Sequence, residues 1–313
     1  MHLNNKFKFE NKNGLMLVFF TAIISGFSIF INSIGVKEFE SSIFTFLKNA
    51  VVAAFLLGII LGFGNFSELR KLTKKQWLQL LIIGLIGGSI PFLLFFQGLK
   101  MTTGTTSGFI HKTIFIFVAI FAIIFLKEKP TKVLMIGTTL LLLGNYFLIK
   151  PNFKFTKWHL LILAAVIFWA AENTYAKYVL KDLSGTIVAF GRMFFGSIFI
   201  LIFLILTGKI SRLTELSTTQ IEWVLLTSVL LLLFVFTYYN GLKQIKATTA
   251  ASVLAIGSPI TTLLGWLFSG KTLSLHESIG IFLTISGIVT IIWLSTITKY
   301  IGDVLSVKEH GRN

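Results

Sequence analysis

Apolar residues in this chain come in long unbroken stretches, not in helical stripes or strand-like alternation. Ten runs stand at 14–34, 41–63, 77–98, 105–126, 132–150, 158–180, 185–206, 221–241, 248–269 and 276–297, each bounded by Lys, Gly, Ser or Asn. A bilayer core of about 30 Å takes about 20 apolar residues in a helix, so each run predicts one membrane-crossing helix. Together the runs fill roughly two thirds of the chain, leaving almost nothing for an extramembrane domain. Lys6, Lys8 and Lys12 precede the first run, as in a signal peptide. That run is too long for a signal h-region and no small-residue cleavage site follows it, which predicts a retained helix.

Composition agrees with the pattern. Of 313 residues, 55% are hydrophobic and only 13% charged, with 33 Phe and a mean hydropathy of +0.86. Soluble domains carry about 25% charged residues, so an ordinary cytosolic enzyme and a disordered chain are both excluded. The chain has no Cys, which excludes disulfides, thiolate metal sites, iron–sulfur clusters and a Cys nucleophile.

The net charge of +16 is explained by topology once the cations are sorted by loop. With the N-terminus inside, the cytoplasmic segments hold 17 of the 28: Lys6, Lys8, Lys12, Arg70, Lys71, Lys74, Lys75, Lys127, Lys129, Lys132, Lys177, Lys181, Lys243, Lys246, Lys299, Lys308 and Arg312. Eight fall outside, namely Lys37, Lys100, Lys150, Lys154, Lys157, Lys209, Arg212 and Lys271. Both tails, 1–13 and 298–313, are thereby expected in the cytoplasm of a cell-membrane protein. The excess faces anionic lipid and implies no nucleic acid.

A repeat underlies the ten runs. Phe95-Phe96-Gln97-Gly98-Leu99-Lys100 matches Tyr238-Tyr239-Asn240-Gly241-Leu242-Lys243 at a shift of 143 residues. The same shift carries Thr105-Thr106 onto Thr248-Thr249, Gly137 onto Gly280 and Gly144 onto Gly287; a shift of 144 places Lys37 on Lys181 and Lys48 on Arg192. Five helices per unit is an odd number, so the second unit enters the membrane upside down. The expected fold is all-α, ten transmembrane helices as two inverted five-helix repeats, 14–150 and 157–297. Inverted repeats are a signature of secondary transporters with a midplane site exposed alternately to each side.

With this duplicated unit, the chain resembles the EamA-domain branch of the drug/metabolite transporter superfamily over residues 14 to about 297. The recurring pattern is Phe96-Gln97-Gly98-Leu99-Lys100, Thr105-Thr106 and Phe125-Leu126-Lys127-Glu128-Lys129 in the first unit. In the second it is Tyr239-Asn240-Gly241-Leu242-Lys243, Thr248-Thr249 and Gly257-Ser258-Pro259. The family usually closes the fourth helix of each unit with Gly-Glu; here Lys127 precedes Glu128, and the second unit has Gly270-Lys271 with no acid. The resemblance implies transport of amino acids, amines, nucleosides or drugs without fixing which.

Candidate site residues are the polar intrusions into apolar runs. An ionisable residue inside a span costs about 2.5–3.5 kcal/mol and by default faces a cavity or a partner. Lys48, His111, Lys112, Glu172 and Arg192 qualify. Glu172, with Trp169, Asn173 and Tyr175 around it, reads either as a site residue or as half of a structural ion pair. Lys48 and Arg192 are repeat mates, each about seven residues into its run, from where a long side chain also reaches the interface. His111-Lys112 faces Leu254-Ala255 across the repeat, an asymmetry that suits a central cavity, an outer gate or a pair with Glu172. Gln97 and Asn240 read equally as cavity hydrogen-bonders or helix-to-helix contacts. Trp169, Tyr175, Tyr238, Tyr239 and Trp266 are candidates for the path, whereas Trp158, Trp223 and Trp293 suit interfacial belts. Pro91 and Pro259 are candidate kinks, although they are not repeat mates.

Three deep cations against one deep acid predict an electropositive cavity and a substrate with an anionic group. A zwitterion would set its carboxylate at Lys112 and its amine at Glu172, and Glu172 or His111 is placed to carry a coupling proton. No phosphate loop is present, Gly62-Phe63-Gly64 follows no strand, and His2, His159, His276 and His310 lack metal spacing, so no cofactor or metal is expected. The expected function is therefore a secondary active transporter, not an enzyme. It would export or exchange a small polar metabolite such as an amino acid by alternating access, as a monomer or homodimer. The competing readings are an antiporter for nucleotide-sugars or phosphorylated metabolites, and a membrane-embedded enzyme or lipid carrier.

Overall fold

The computed structural model describes residues 11–63, 66–129, 132–149, 156–269 and 274–291. The tail residues 1–10 and 298–313, Trp293 and the Gly270-Lys271 pair lie outside the described residues. Among the described residues all regular elements are helical. In chain order they are α1 (Lys12–Gly35), α2 (Ser41–Gly62), the short α3 (Phe66–Arg70), α4 (Lys74–Ile83), α5 (Ile90–Lys100), α6 (Gly104–Lys112), α7 (Ile114–Phe125), α8 (Lys132–Ile149), α9 (Lys157–Val179), α10 (Gly185–Leu206), α11 (Thr218–Gln244), α12 (Ala247–Leu254), α13 (Gly257–Ser269) and α14 (Leu275–Ile291).

Eight helical segments are long and apolar enough to cross a membrane among the described residues. Within the fifth and tenth runs, the described residues form the shorter apolar helical stretches Met135–Leu148 and Leu275–Ile291. Their outward faces are apolar all the same: Met135, Ile136, Leu143, Phe282, Ile285 and Val289 are exposed, as a lipid-facing surface requires. Helix starts coincide with capping side chains. Thr73 and Gln76 close a capping box on α4, Ser217 and Gln220 close one on α11, and Ser184 caps α10.

Glu40 caps α2 by accepting from the Ser42 and Ile43 amides at 2.9 and 3.2 Å, and pairs with Lys209 at 2.7 Å. Burial alone would raise its pKa. The Lys209 ammonium, the Ser42 hydroxyl and the Ile43 amide outweigh burial and hold the carboxyl below the usual carboxylate range.

The two halves of the chain dock reciprocally. Helix α1 packs on α11 and α13, while α9 packs on α5 and α7. The contacts match residue for residue. Gly98 lies against Trp158 O and Ile162, whereas Gly241 lies against Gly14 O and Val18, so 14 and 18 correspond to 158 and 162. Lys100 donates to Phe39 O and Lys243 donates to Leu183 O at 2.9 Å, again at corresponding positions. Helices α8 and α14 cross where Gly137 meets Gly287 and Gly144 meets Gly280; a Cβ on Gly287 would stand 2.8 Å from Gly137 O. Small residues let backbones approach this closely in lipid.

Three interruptions shape the interior. Between α4 and α5 the helix widens into a π-helical turn, Gly84–Ser89, a feature that often marks functional sites. Helix α6 ends at Lys112 and α7 begins at Ile114; helix α12 ends at Leu254 and α13 begins at Gly257. These two breaks fall at corresponding positions of the halves.

Candidate functional site

The π-helical turn exposes backbone acceptors to the interior. Pro91 has no N–H to give the carbonyl four residues back, Gly87. Gly87 O instead accepts from Trp169 Nε1 at 2.9 Å and from Arg192 Nη2 at 3.1 Å. The neighbouring Gly88 O accepts from Asn49 Nδ2 at 2.6 Å. Neither glycine tolerates a side chain: a Cβ on Gly87 would meet Glu172 Cγ at 2.3 Å, and one on Gly88 would meet Arg192 O at 2.1 Å.

Beside Trp169 and Arg192, which bond this turn, lies a cavity of about 90 Å³. Phe92, Phe95, Phe96, Trp169, Phe234 and Tyr238 supply its aromatic lining, with Lys48, His111, Asn173 and Arg192 among its polar lining. The rings make an edge-to-face cluster. Phe92, Phe95 and His111 each stand 5.3 Å from Trp169, and Phe95 is 5.3 Å from His111.

The two deep repeat mates sit on opposite halves of one stacked pair, Phe92 and Phe96 at 6.0 Å. Lys48 Nζ lies 4.7 Å from the Phe96 ring and 4.8 Å from Phe44, and donates to Asn32 Oδ1 at 2.5 Å. The Arg192 guanidinium lies 5.4 Å from Phe92 and 5.7 Å from Tyr239. Such cation–π contacts in a desolvated site contribute about 2 kcal/mol each. Arg192 Nε, His111 Nδ1 and Tyr238 Oη are buried without a hydrogen-bond partner.

Of the residues singled out in the sequence, the structure thus brings Lys48, His111, Trp169, Asn173 and Arg192 together on the cavity wall. Glu172 and Tyr239 lie buried behind that wall, where Tyr239 Oη donates to Glu172 Oε1 at 2.5 Å and Glu172 Oε2 has no partner. Among the described residues the salt bridge within 4 Å is Lys209–Glu40; Glu172 has no such contact but lies near enough to Arg192 for the two charges to attract. Lys112 is not itself in the lining; it donates to Ser25 Oγ at 2.8 Å and Leu254 O at 3.1 Å, two residues that are. It thus ties α1 to the carbonyl freed at the α12–α13 break.

Gln97 Oε1 accepts from Ser41 Oγ at 2.6 Å, and Asn240 packs against Gly185, the position corresponding to Ser41. Both are helix-to-helix contacts. Tyr175 stacks on Tyr178 and is half-buried, apart from the cavity. Sequence reading passed over Ser25, Ser28 and Asn32, which line the cavity from α1. A signal was available: these three recur at helical spacing on one face of an otherwise apolar run.

The family model of the EamA-like transporter family matches residues 12–150 and again 156–293. The chain belongs to the EamA-like transporter family. Among the relatives of this EamA-like protein, an uncharacterized transporter of Archaeoglobus fulgidus is 24% identical over 301 residues, covering 93% of this chain and 99% of its own. The uncharacterized transporter YetK of Bacillus subtilis is 27% identical over 284 residues, covering 86% and 84%. A solved crystal structure shares the fold at a TM-score of 0.73 and 16% identity, over 92% of this chain and 99% of that one.

Proposed function

We propose that this EamA-like protein is a secondary active transporter of the cell membrane with both termini in the cytoplasm. It exports or exchanges a small metabolite bearing an acid group by alternating access. Its ten helices form two five-helix repeats of opposite orientation. The observation that carries the reading is the interior cavity at the breaks: two deep cations, Lys48 and Arg192, line it, and no carboxylate pairs with either within 4 Å among the described residues. Arg192 feels the attraction of the nearby buried Glu172, whereas Lys48 has no carboxylate facing it among the described residues, and ionisable residues inside a span by default serve a cavity or a partner. Discontinuous helices at corresponding places in two halves are a pointer to a transport site. Reciprocal docking and the glycine crossing of α8 and α14 support the inverted arrangement.

The test is counterflow in proteoliposomes. Vesicles loaded with an unlabelled metabolite are expected to take up its labelled form transiently and saturably, and protein-free vesicles not. Absence of saturable exchange across a broad panel of amino acids and organic acids would sink the transporter reading. Glu172, with one carboxylate oxygen bonded to Tyr239 and the other free, is the proposed carrier of a coupling proton. Glu172→Gln is expected to keep exchange while abolishing the response to an imposed pH gradient; unchanged gradient-driven flux would remove that role. Labelling of a cysteine at position 74 from the cytoplasmic side only would agree with the orientation, and labelling from outside would reverse it.

A further inference from the structure

We infer that the cargo of this cavity is an organic anion with a flat apolar body, recognised without any contribution from an ammonium group. The inference rests on the transporter reading and names its substrate class. Three observations lead to it.

The first is the charge of the wall. Among the described residues none of the side chains lining the cavity is acidic, whereas Lys48 and Arg192 are both there. The nearby acid, Glu172, is fully buried behind the lining with Tyr239. An amine or a zwitterion would therefore bring its ammonium beside two cations that already occupy the Phe96, Phe92 and Tyr239 faces, with no carboxylate on the wall to receive it.

The second is the set of unmade hydrogen bonds. Arg192 is 5% exposed and Tyr238 1% exposed, yet Arg192 Nε and Tyr238 Oη have no partner. Buried polar atoms are nearly always satisfied, so exceptions on a cavity wall mark where a ligand atom goes. The guanidinium is already oriented by its bond to Gly87 O and by the Phe92 and Tyr239 rings. Its Nε remains an unused donor on a planar group that lines the cavity, a geometry that suits a carboxylate better than a point charge would once the side chain shifts to meet it. The geometry assigns the acid head to Arg192 and Tyr238.

The third is the shape of the remaining wall. Trp169, Phe92, Phe95 and Phe234, with Ile29, Ile114 and Leu231, leave mostly ring faces and edges for the body of the ligand. The His111 ring joins this cluster edge-on to Phe95 and Trp169. Such a wall favours an aromatic or compact apolar body over a sugar or a polyol, whose hydroxyls would find few partners.

Three probes of matched skeleton separate the possibilities: 3-phenylpropanoate, phenylalanine and 2-phenylethylamine. Binding to the purified full-length protein is measured by thermal shift and by equilibrium binding of the labelled compounds. The expected order places 3-phenylpropanoate at least tenfold tighter than the amine, with phenylalanine no tighter than 3-phenylpropanoate. Phenylalanine binding tenfold tighter than 3-phenylpropanoate, or equal binding of acid and amine, would overturn the inference. Arg192→Gln is expected to weaken 3-phenylpropanoate at least tenfold and leave the amine unchanged. Tyr238→Phe guards against a folding defect, because its hydroxyl has no partner to lose; it is expected to weaken the acid threefold to tenfold at unchanged melting temperature in the absence of ligand. Undiminished binding by both variants would also overturn the assignment. Saturable counterflow of other metabolites without binding of 3-phenylpropanoate would fail this inference and leave the transporter standing. Binding of 3-phenylpropanoate without saturable flux of any solute would fail the transporter reading instead.

Discussion

Two adjacent residues in α6 have different surroundings, and helix geometry is the reason. His111 and Lys112 are about 100° apart around the axis, so His111 joins the ring cluster while Lys112 reaches Ser25 and Leu254 O. That both were buried was legible, since a polar pair interrupts an apolar run. Which one faces the cavity was not, because it depends on how α6 is rotated against α1 and α12. The same holds for Glu172 and Tyr239, whose bond joins positions 67 residues apart. Lys112→Met should lower stability by about 1–3 kcal/mol, the cost of leaving a buried carbonyl unsatisfied, with ligand affinity kept within threefold; a thermal melt beside a binding curve checks both. Lost affinity at unchanged stability would instead put the ammonium in the binding site. Glu40 has a lowered pKa in the folded protein, so its contribution is fully present above its unfolded value of about 4.3 and is lost as pH falls through the folded value. Thermal melts of the wild type and Glu40→Gln are expected to differ at pH 6 and to converge under strong acid. A gap that persists at low pH would refute the linkage.

At the scale of elements, the Lys127-Glu128 departure from the family's Gly-Glu pair acquires a physical meaning. Lys127 has φ 53°, the left-handed region in which glycine carries no steric penalty, and Glu128 N closes the end of α7 by bonding Ala122 O at 3.1 Å. Lys127→Gly should therefore stabilise the protein, by about 1 kcal/mol; a lowered melting temperature would contradict this. Glu128 itself caps a helix of the other half. It accepts from Ala247 N at 2.9 Å, Thr248 N at 3.1 Å and Thr248 Oγ1 at 2.7 Å, and Lys246 offers α12 no side-chain cap of its own. Glu128→Ala should cost about 1–2 kcal/mol, the loss of an N-cap, readable as a lower melting temperature. The matched Thr248-Thr249 motif was visible in the sequence; its partner was not, because 120 residues separate Thr248 from Glu128. The breaks were partly legible. Pro91 stands in the first turn of α5 after the π-helical segment and Pro259 in the first turn of α13 after the break at Leu254, whereas the corresponding break after Lys112 has no proline.

For the molecule as a whole, the repeat was the most legible feature, because a fixed shift of polar and glycine positions survives in an apolar background that otherwise aligns with anything. Its matched residues occupy matched places: Lys100 and Lys243 bond corresponding carbonyls, and Gly98 and Gly241 pack on corresponding turns of the opposite half. Ten runs were readable as hydrophobic lengths, and eight of them are matched by long apolar helices among the described residues. Cutting the chain between the matched stretches 12–150 and 156–293 should yield halves that co-purify and bind ligand only when expressed together. A half that is stable and monodisperse alone would contradict the interdependence of the two.

Reciprocal docking also dictates an order of events during synthesis. Helix α1 carries Thr21, Ser25, Ser28 and Asn32 into the bilayer, but Thr237, which bonds Thr21, leaves the ribosome more than 200 residues later. Until α11 arrives, Thr21 lacks its partner Thr237, whereas Ser25 and Asn32 can already meet Lys112 and Lys48. The nascent chain must then be held by the insertion machinery or by its own first helices, and a ribosome pause before α11 would lengthen the exposure. Membrane quality control would thus act on the half-made protein, at the stage when only its first half has been synthesised.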